Sequence, residues 1–416
     1  MEKIDFMVGQ PQRRFVEKRC QRQCALRLTK LPVDNVAPMG KPINVPLLDL
    51  SAQNQPLAAE LKAAFVRVLD SSQFILGPEV AGFEDRAAES VGARHAIGVS
   101  SGTDALLLSL MALGIGPGDE VLCPSFTFFA TAGSVARTGA TPVFVDSLDA
   151  DFNIDLAAAG RRVTGNTKAI IPVHLFGQAT DMDGVQRLAK AHGLAVLEDA
   201  AQSMGATVGD RQVGTMGDLG AFSFFPSKNL GGFGDGGMIT TDDDGLAKRA
   251  RILRVHGGAP KYYHKAIGGN FRMDPVQAAL LGVKLGHFPG YMAKRRANAV
   301  QYLKRLAQCE HVAEGRLVLP SEIDGRGHMW NQFTLRVGNG KRDVLQAHLA
   351  AHNIGSAIYY PVPLHRQECF AHLQSFDESL PICERMAGEV LSIPVYPELT
   401  EEQLSHVADT LANAPL

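Results

Sequence analysis

The sequence predicts an α/β protein: a large domain with a mostly parallel central sheet flanked by helices, followed by a smaller α+β domain at the carboxyl end. Three observations lead there. Between about Val45 and Leu285, short and nearly continuous apolar segments alternate with amphipathic ones, the pattern of strands covered on both faces by helices. Beyond Leu285 the alternation gives way to a long basic helix and to extended stretches punctuated by proline. The length, 416 residues, suits two or three domains of about 150 residues each. The expected division is an arm over 1–41, a large domain over 42–287 and a small domain over 288–416.

Pro56–Ser71 places apolar residues at helical spacing. Gly92–Ser125 reads as strand, small-residue turn, helix, a Gly-Pro-Gly break and a second strand. Phe128–Gly139 reads as a helix closed by glycine, and Ala140–Asp146 and Thr167–Gly177 as strands. Asp181–Gly193 is a helix with an Asp cap and a Gly stop, and Leu194–Ala201 is a further buried strand. GDLGAFSFFPSK, Gly217–Lys228, reads as a strand that ends near Ser223 and turns into a loop. The run Asp242–Asp244 reads as a turn. In the carboxyl part, Tyr291–Gln308 is a helix whose cationic face is expected in solvent, Met329–Val337 a strand and Lys341–Gly355 a helix. In such a sheet, ligand-binding side chains gather at the carboxyl ends of the strands.

Composition narrows the function classes. The net charge of −2 gives no support for nucleic-acid binding. The longest apolar run, Ala105–Gly116, spans about 12 residues, too few to cross a bilayer. Six cysteines are sparse, and the Cys20/Cys24 pair has no second Cys or His pair nearby. Free thiols, no metal and a reducing, cytoplasmic setting are expected. Residues 1–41 hold nine Lys or Arg against four Asp or Glu, with no apolar segment behind the basic residues. They read as a disordered arm, with a start at Met39 as the alternative, and not as a secretory signal.

One stretch stands apart. In FSFFPSKNLGGFGDGG, Phe222–Gly237, Lys228 lies between an aromatic run and five glycines in seven residues. Asp199 ends the strand LAVLED, where it serves either as a helix cap or as a ligand-facing carboxylate. SSGTDALLLSL opens a helix with small residues. Its exposed N–H groups and dipole favour an anion by up to about 2 kcal/mol, and simple capping by Thr103 or Asp104 is the plainer alternative. Phe126, Phe128 and Phe129 follow a strand end, and rings there either pack in the core or stack on a planar heterocycle. His174 either faces the site or is a hydrogen-bonded structural histidine. His256 and His365 sit on loops and are candidates for touching a sugar or nucleotide.

A phosphate site, a stacking ring, a carboxylate and a lysine together suit pyridoxal 5′-phosphate, which needs a lysine for its Schiff base and a partner for its pyridine nitrogen. A carboxylate raises the pKa of an adjacent cation by roughly 1–3 units, so Asp199 would keep that nitrogen protonated. A neutral Lys228 amine would add to the aldehyde.

The sequence resembles the DegT/DnrJ/EryC1/StrS family of sugar aminotransferases, of the aspartate-aminotransferase fold type, from about Val45 to Leu416. The motifs that carry the likeness are VPLLDL, SGTDAL, CPSFTFFAT, LEDAAQSMGA, FSFFPSKNLGGFGDGG, GGNFRMDPVQAA and YYPVPLH. The resemblance implies roles for named positions. Lys228 matches the Schiff-base lysine, Asp199 the partner of the pyridine nitrogen, and Gln202 the side chain near the ring hydroxyl. Gly102, Thr103 and Ser223 match the phosphate site, and Phe128 the stacking ring. Asn270 matches a residue that reaches the cofactor of a second subunit, which implies a homodimer with shared active sites. Arg272 and His365 match positions near the substrate. Phe225 stands where some relatives carry histidine, which puts a polar role there in doubt. The implied activity is transamination of a nucleotide-linked keto sugar, with L-glutamate as the amino donor, in the biosynthesis of a polysaccharide or a glycosylated product. The alternatives are a sugar dehydratase on the same scaffold, which would carry histidine in place of Lys228, and a non-catalytic regulator that binds cofactor or nucleotide sugar.

Overall fold

Seven strands form the central sheet: β1 (His95–Val99), β2 (Glu120–Pro124), β3 (Thr141–Val145), β4 (Thr167–Ile170), β5 (Ala195–Asp199), β6 (Leu219–Ser223) and β7 (Gly237–Thr241). Their spatial order is β1-β7-β6-β5-β4-β2-β3. β7 pairs antiparallel with β1 and β6, and every other pairing is parallel, as the buried apolar strands predict. The computed structural model describes residues 43–260, 262–373 and 379–416, so the expected arm over 1–41 lies outside the described residues.

Along β2, Val121 and Cys123 enter one core and Leu122 the other, the period of two that a doubly covered strand requires. The flanking helices are α1 (Ala58–Ser71), α2 (Pro78–Val91), α3 (Gly102–Leu113), α4 (Ala130–Arg137), α5 (Met182–His192), α6 (Asp244–Leu253) and α7 (Pro275–Leu306). Helices α3, α4 and α6 cover the first face, and α2, α5 and the start of α7 the second. Helix α5 has the expected punctuation: the Asp181 carboxylate accepts from Gly184 N at 2.9 Å, and Gly193 closes the helix at φ 66°.

A three-stranded antiparallel sheet follows, with β8 (Leu317–Val318), β9 (Phe333–Val337) and β10 (Val390–Ile393) in that order. Helices α8 (Arg342–Ala351) and α10 (Glu401–Ala412) pack with it, while α9 (Pro381–Glu389) sends Cys383 and Met386 into the large-sheet core.

Five expectations are corrected. Helix α7 does not begin at Tyr291 but runs from Pro275 through Pro289 to Leu306. The expected 287/288 boundary therefore falls inside one helix, which gives Leu281 and Leu285 to the large-sheet core and Tyr302 and Leu306 to the small-sheet core. The strand expected over Thr167–Gly177 stops at Ile170, because Pro172 has no N–H to donate to a neighbouring strand. Asp243 is an N-cap of α6, accepting from Leu246 N at 2.7 Å. Arg295, on the face expected in solvent, is 3% exposed and donates through Nη1 to the carbonyls of Trp330 and Asn331.

Candidate active site

β5 delivers two adjacent carboxylates to opposite sides of the sheet. Glu198 accepts from the amides of Gly214, Met216 and Gly217 and from the His174 imidazole. His174 Nδ1 accepts from Thr180 N at 3.0 Å, so its Nε2–H donates to Glu198. Both groups are fully buried. Burial pushes the Glu198 pKa up, but these donors reverse that and leave it lowered. The question left open for His174 is settled: it is a structural histidine.

Asp199 is 4% exposed and has no such network. Its Oδ2 accepts from Thr131 Oγ1 at 2.9 Å and its Oδ1 from Ala201 N at 3.2 Å, and no helix follows for it to cap. Among the described residues it makes no ion pair. Burial pushes its pKa up, against the pull of Thr131, Ala201 and Lys228. A buried carboxylate in this state gains most from a cation placed against its free edge.

Lys228 is half-buried on the loop after β6. Burial lowers its pKa to about 8, opposed by the nearby Asp199 charge. A large part of the amine is thus neutral near pH 8, the form that adds to a carbonyl carbon. Lys228 N donates to Phe225 O at 2.8 Å, and Asn229 Nδ2 donates to Met329 O at 3.0 Å, tying the loop to the segment before β9.

The anion turn forms where β1 enters α3. Ser101, and not Thr103 or Asp104, is the N-cap, with its Oγ accepting from Asp104 N at 3.0 Å. The amides of Gly102 and Thr103 open the helix and take no intrahelical partner. Register brings the other side of the cradle into place, since Gly237 pairs with both Val99 and Ser223. A Cβ on Gly102 would lie 2.7 Å from Ser223 Cβ, and one on Gly237 would lie 2.4 Å from Ser101 C. Only glycine lets these backbones approach so closely.

Gln202 spans two elements: Oε1 accepts from Phe176 N at 3.1 Å and Nε2 donates to Tyr360 Oη at 2.8 Å. Phe128 is 54% exposed and tilted 44° against Tyr360 at 6.1 Å, whereas Phe126 is fully buried in the core. Arg272 bridges Val99 through its backbone and lines a cleft of about 600 Å³ with Ser101, Asp104, Phe233 and Asp235. Asn270 is exposed and paired to Val255 through its backbone.

His365 is not part of this group. It is fully buried, with Nδ1 at 2.6 Å from Ser125 Oγ and Nε2 at 3.2 Å from Glu384 Oε1. Neither ring nitrogen is left for a substrate, which corrects the expectation for this residue.

The residues present fit pyridoxal 5′-phosphate: a buried carboxylate that makes no ion pair among the described residues, an amine of lowered pKa near it, and a glycine-walled turn at a helix N-terminus. Thr131 and Tyr360 were not foreseen. Both lie inside the quoted motifs CPSFTFFAT and YYPVPLH, but nothing in the spacing distinguishes them from their neighbours.

Comparisons with known proteins identify the family. The sequence pattern of the DegT/DnrJ/EryC1/StrS aminotransferase family matches residues 55–412. A "pleiotropic regulatory protein" of Geobacillus stearothermophilus is 49% identical, over 89% of this chain and 98% of its own length. A UDP-N-acetyl-3-dehydro-α-D-glucosamine 3-aminotransferase of Acidithiobacillus ferrooxidans is 44% identical, over 88% and 97%. The crystal structure of S. venezuelae DesV in complex with a ketimine intermediate superposes with a TM-score of 0.85 at 43% identity, covering 89% of this chain and 98% of that one. The chain belongs to the DegT/DnrJ/EryC1/StrS aminotransferase family, enzymes that transfer an amino group with the help of pyridoxal 5′-phosphate.

Proposed function

We propose that the protein moves an amino group from L-glutamate to the keto carbon of a nucleotide-linked sugar, and that this carbon is C3. The observation that carries the reading is that Lys228, whose amine is partly neutral near pH 8, lies near Asp199, a buried carboxylate that makes no ion pair among the described residues. The C3 position rests on the name of the 44% identical A. ferrooxidans relative.

Lys228 would hold the cofactor through a covalent bond from Nζ, and Asp199 would keep the pyridine nitrogen protonated. The amides of Gly102 and Thr103 and the Ser223 hydroxyl would bind the phosphate. Gln202 would use its second Nε2 hydrogen on the ring hydroxyl, and Phe128 would lie over the ring. When bound, the cofactor supplies an electron sink that lets a proton leave the donor's α-carbon. Lys228 Nζ would take that proton and hold it for delivery onward, a role typically worth 10²–10⁴-fold in rate. Arg272, on the wall of the cleft, is placed to meet the anionic part of the sugar nucleotide.

Asn270 would reach a second copy, giving a homodimer with shared sites. Exposed apolar side chains support that assembly: Phe65 and Phe233 flank Ser101 and Arg272 in the cleft, and Ile267 is 91% exposed. Among the described residues no helix is long and apolar enough to cross a membrane, and we assign the protein to the cytoplasm on the sparse cysteines of its sequence.

The test is to supply L-glutamate with dTDP- and UDP-linked 3-keto and 4-keto sugars and follow 2-oxoglutarate. Parallel lines in double-reciprocal plots, with turnover on a 3-keto sugar, are expected for a two-stage transfer. Coloured, cofactor-loaded protein that turns over none of the sugars would favour a regulatory role, in line with the name of the G. stearothermophilus relative. Turnover restricted to 4-keto sugars would overturn the C3 assignment.

A further inference from the structure

Lys284 lies on α7 inside the apolar run AALLGVKLG, between Val283 and Leu285. It is 1% exposed. A buried ammonium is costly unless it is well paired, and an apolar side chain of similar volume often serves such a position as well or better. Lys284 therefore calls for an explanation beyond packing. Its Nζ donates to Gly231 O at 2.6 Å and lies 5.5 Å from the centre of the Phe233 ring. Both contacts fall on the loop that follows Lys228. Burial lowers the Lys284 pKa to about 8, with the Glu398 charge opposing.

Gln277 lies seven residues earlier, two turns away on the same face of α7. Its Oε1 accepts from Phe233 N and its Nε2 donates to Asp235 O, both at 2.8 Å. One helix face thus holds the loop backbone at Gly231, Phe233 and Asp235. Upstream, Gly232 N donates to Phe224 O at 2.8 Å, closing the loop around Lys228. A segment with five glycines in seven residues has high backbone entropy and no intrinsic preference for this path. The hydrogen bonds from α7 select it.

We propose that Lys284 is a positioning residue for Lys228: its buried ammonium pins the Gly231 carbonyl to α7 and fixes the loop that carries the reactive amine. The inference rests on the reading of Lys228 given above. Loss of the contact would leave the Gly231 carbonyl unpaired beneath an apolar helix and release the loop from its first anchor. A displacement of about 1 Å at a reacting group can cost 10²-fold in rate.

The test compares the full-length wild type with Lys284→Met, which keeps the volume and removes the donor, and Lys284→Gln, which keeps an N–H donor and removes the charge. Amide hydrogen exchange over 229–236 in cofactor-free protein is the first readout. Lys284→Met should exchange there about tenfold faster or more, the worth of one charge-assisted hydrogen bond, with β5 and α3 unchanged. In the loaded enzyme, kcat should fall about 10–100-fold while KM for the keto sugar moves less than about threefold. Lys284→Gln should recover part of both, since it keeps an N–H donor but loses the charge.

Unchanged exchange in the loop, or faster exchange with kcat intact, would overturn the proposal. Equal losses in Met and Gln variants would also overturn it, because a side-chain N–H would then restore none of the contact with the Gly231 carbonyl. If Lys284→Met does not fold, Gln277→Leu removes the neighbouring anchors, and exchange confined to 233–236 must rise or the α7 clamp is wrong. Borohydride trapping of the cofactor on a lysine other than Lys228 would instead overturn the reading of Lys228 and leave the exchange result standing.

Discussion

The Thr131 hydroxyl on α4 donates to Asp199 Oδ2 at the end of β5 at 2.9 Å, across 68 residues of sequence. The contact engages Oδ2 from the α4 side, while Oδ1 accepts from Ala201 N at 3.2 Å. It also opposes the rise in pKa that burial imposes on Asp199. Thr131→Val keeps the shape and removes the donor. Cofactor affinity should fall about 10–100-fold, the usual worth of a hydrogen bond to a charged group. Asp199→Asn should do more, lowering kcat by roughly 10–10³-fold, because a neutral amide no longer stabilises a ring cation by the 1–3 pKa units a carboxylate supplies. Absorbance titration with the cofactor and steady-state rates check both, and equal behaviour of Asp199→Asn and wild type would refute the role given to the carboxylate.

Lys228 makes a pH prediction whose sign is fixed by its burial. Its folded pKa is lowered from 10.5 to about 8, so in cofactor-free protein the unfolded chain holds more protons between those two values. Stability of the cofactor-free protein therefore rises as pH increases from about 8 to 10.5, and below about 8 the penalty for the charged amine is fully present. Lys228→Met removes this dependence. Urea denaturation of the two cofactor-free proteins across pH 7 to 11, a range of about four units, measures it as a difference. The capture rate of added cofactor should rise through a midpoint near pH 8 in wild type. A midpoint near the ordinary lysine value would show that the amine is solvated and not held against the sheet.

The cradle at the start of α3 is tested by adding one carbon. Gly102→Ala puts a Cβ 2.7 Å from that of Ser223, a contact that must be relieved by moving β6 or the turn. Overpacking of this kind costs about 1–3 kcal/mol. The displaced amides would lose their aim at the phosphate, and cofactor affinity should drop at least about tenfold. Ser223→Ala removes a hydroxyl and leaves the backbone in place, so its loss should be smaller. Both are read by equilibrium titration, and a Gly102→Ala protein with wild-type affinity would place the phosphate elsewhere.

Lys228, Asp199 and the turn at Gly102 could be singled out as candidates in the sequence because each is a local event: a glycine-rich loop, a strand end, a helix start. What supports them was not legible, because it arrives from far along the chain. Tyr360 meets Gln202 across 158 residues and Lys284 meets Gly231 across 53. Periodicity shows which face of α7 is apolar but does not show that a lone cation on it finds a loop carbonyl. The same limit explains the misplaced start of α7. Pro289, a residue that usually ends or kinks a helix, lies just before Tyr291, yet packing of the helix against two cores outweighs the hydrogen bond that Pro289 cannot make.

His365 shows how a loop motif misleads. Its proline-rich surroundings suggest an exposed ring beside the substrate, but Ser125 Oγ accepts from the His365 backbone N at 3.1 Å and reaches its Nδ1 at 2.6 Å. Nε2 faces Glu384, which also accepts from Arg366. Burial lowers the His365 pKa, with Glu384 opposing. A neutral ring satisfies all of these contacts, with the Ser125 hydroxyl donating to Nδ1 and Nε2–H donating to Glu384. His365→Ala would strand the buried Ser125 hydroxyl and open a cavity, at a stability cost of about 2–4 kcal/mol. His365→Gln, which keeps a donor and an acceptor on one side chain, should recover part of that loss. Neither variant should move KM for the keto sugar by more than about twofold at a temperature where the protein is folded, since no ring nitrogen reaches the cleft. Denaturant curves and initial rates decide it: a tenfold rise in KM with unchanged stability would return the residue to the substrate site.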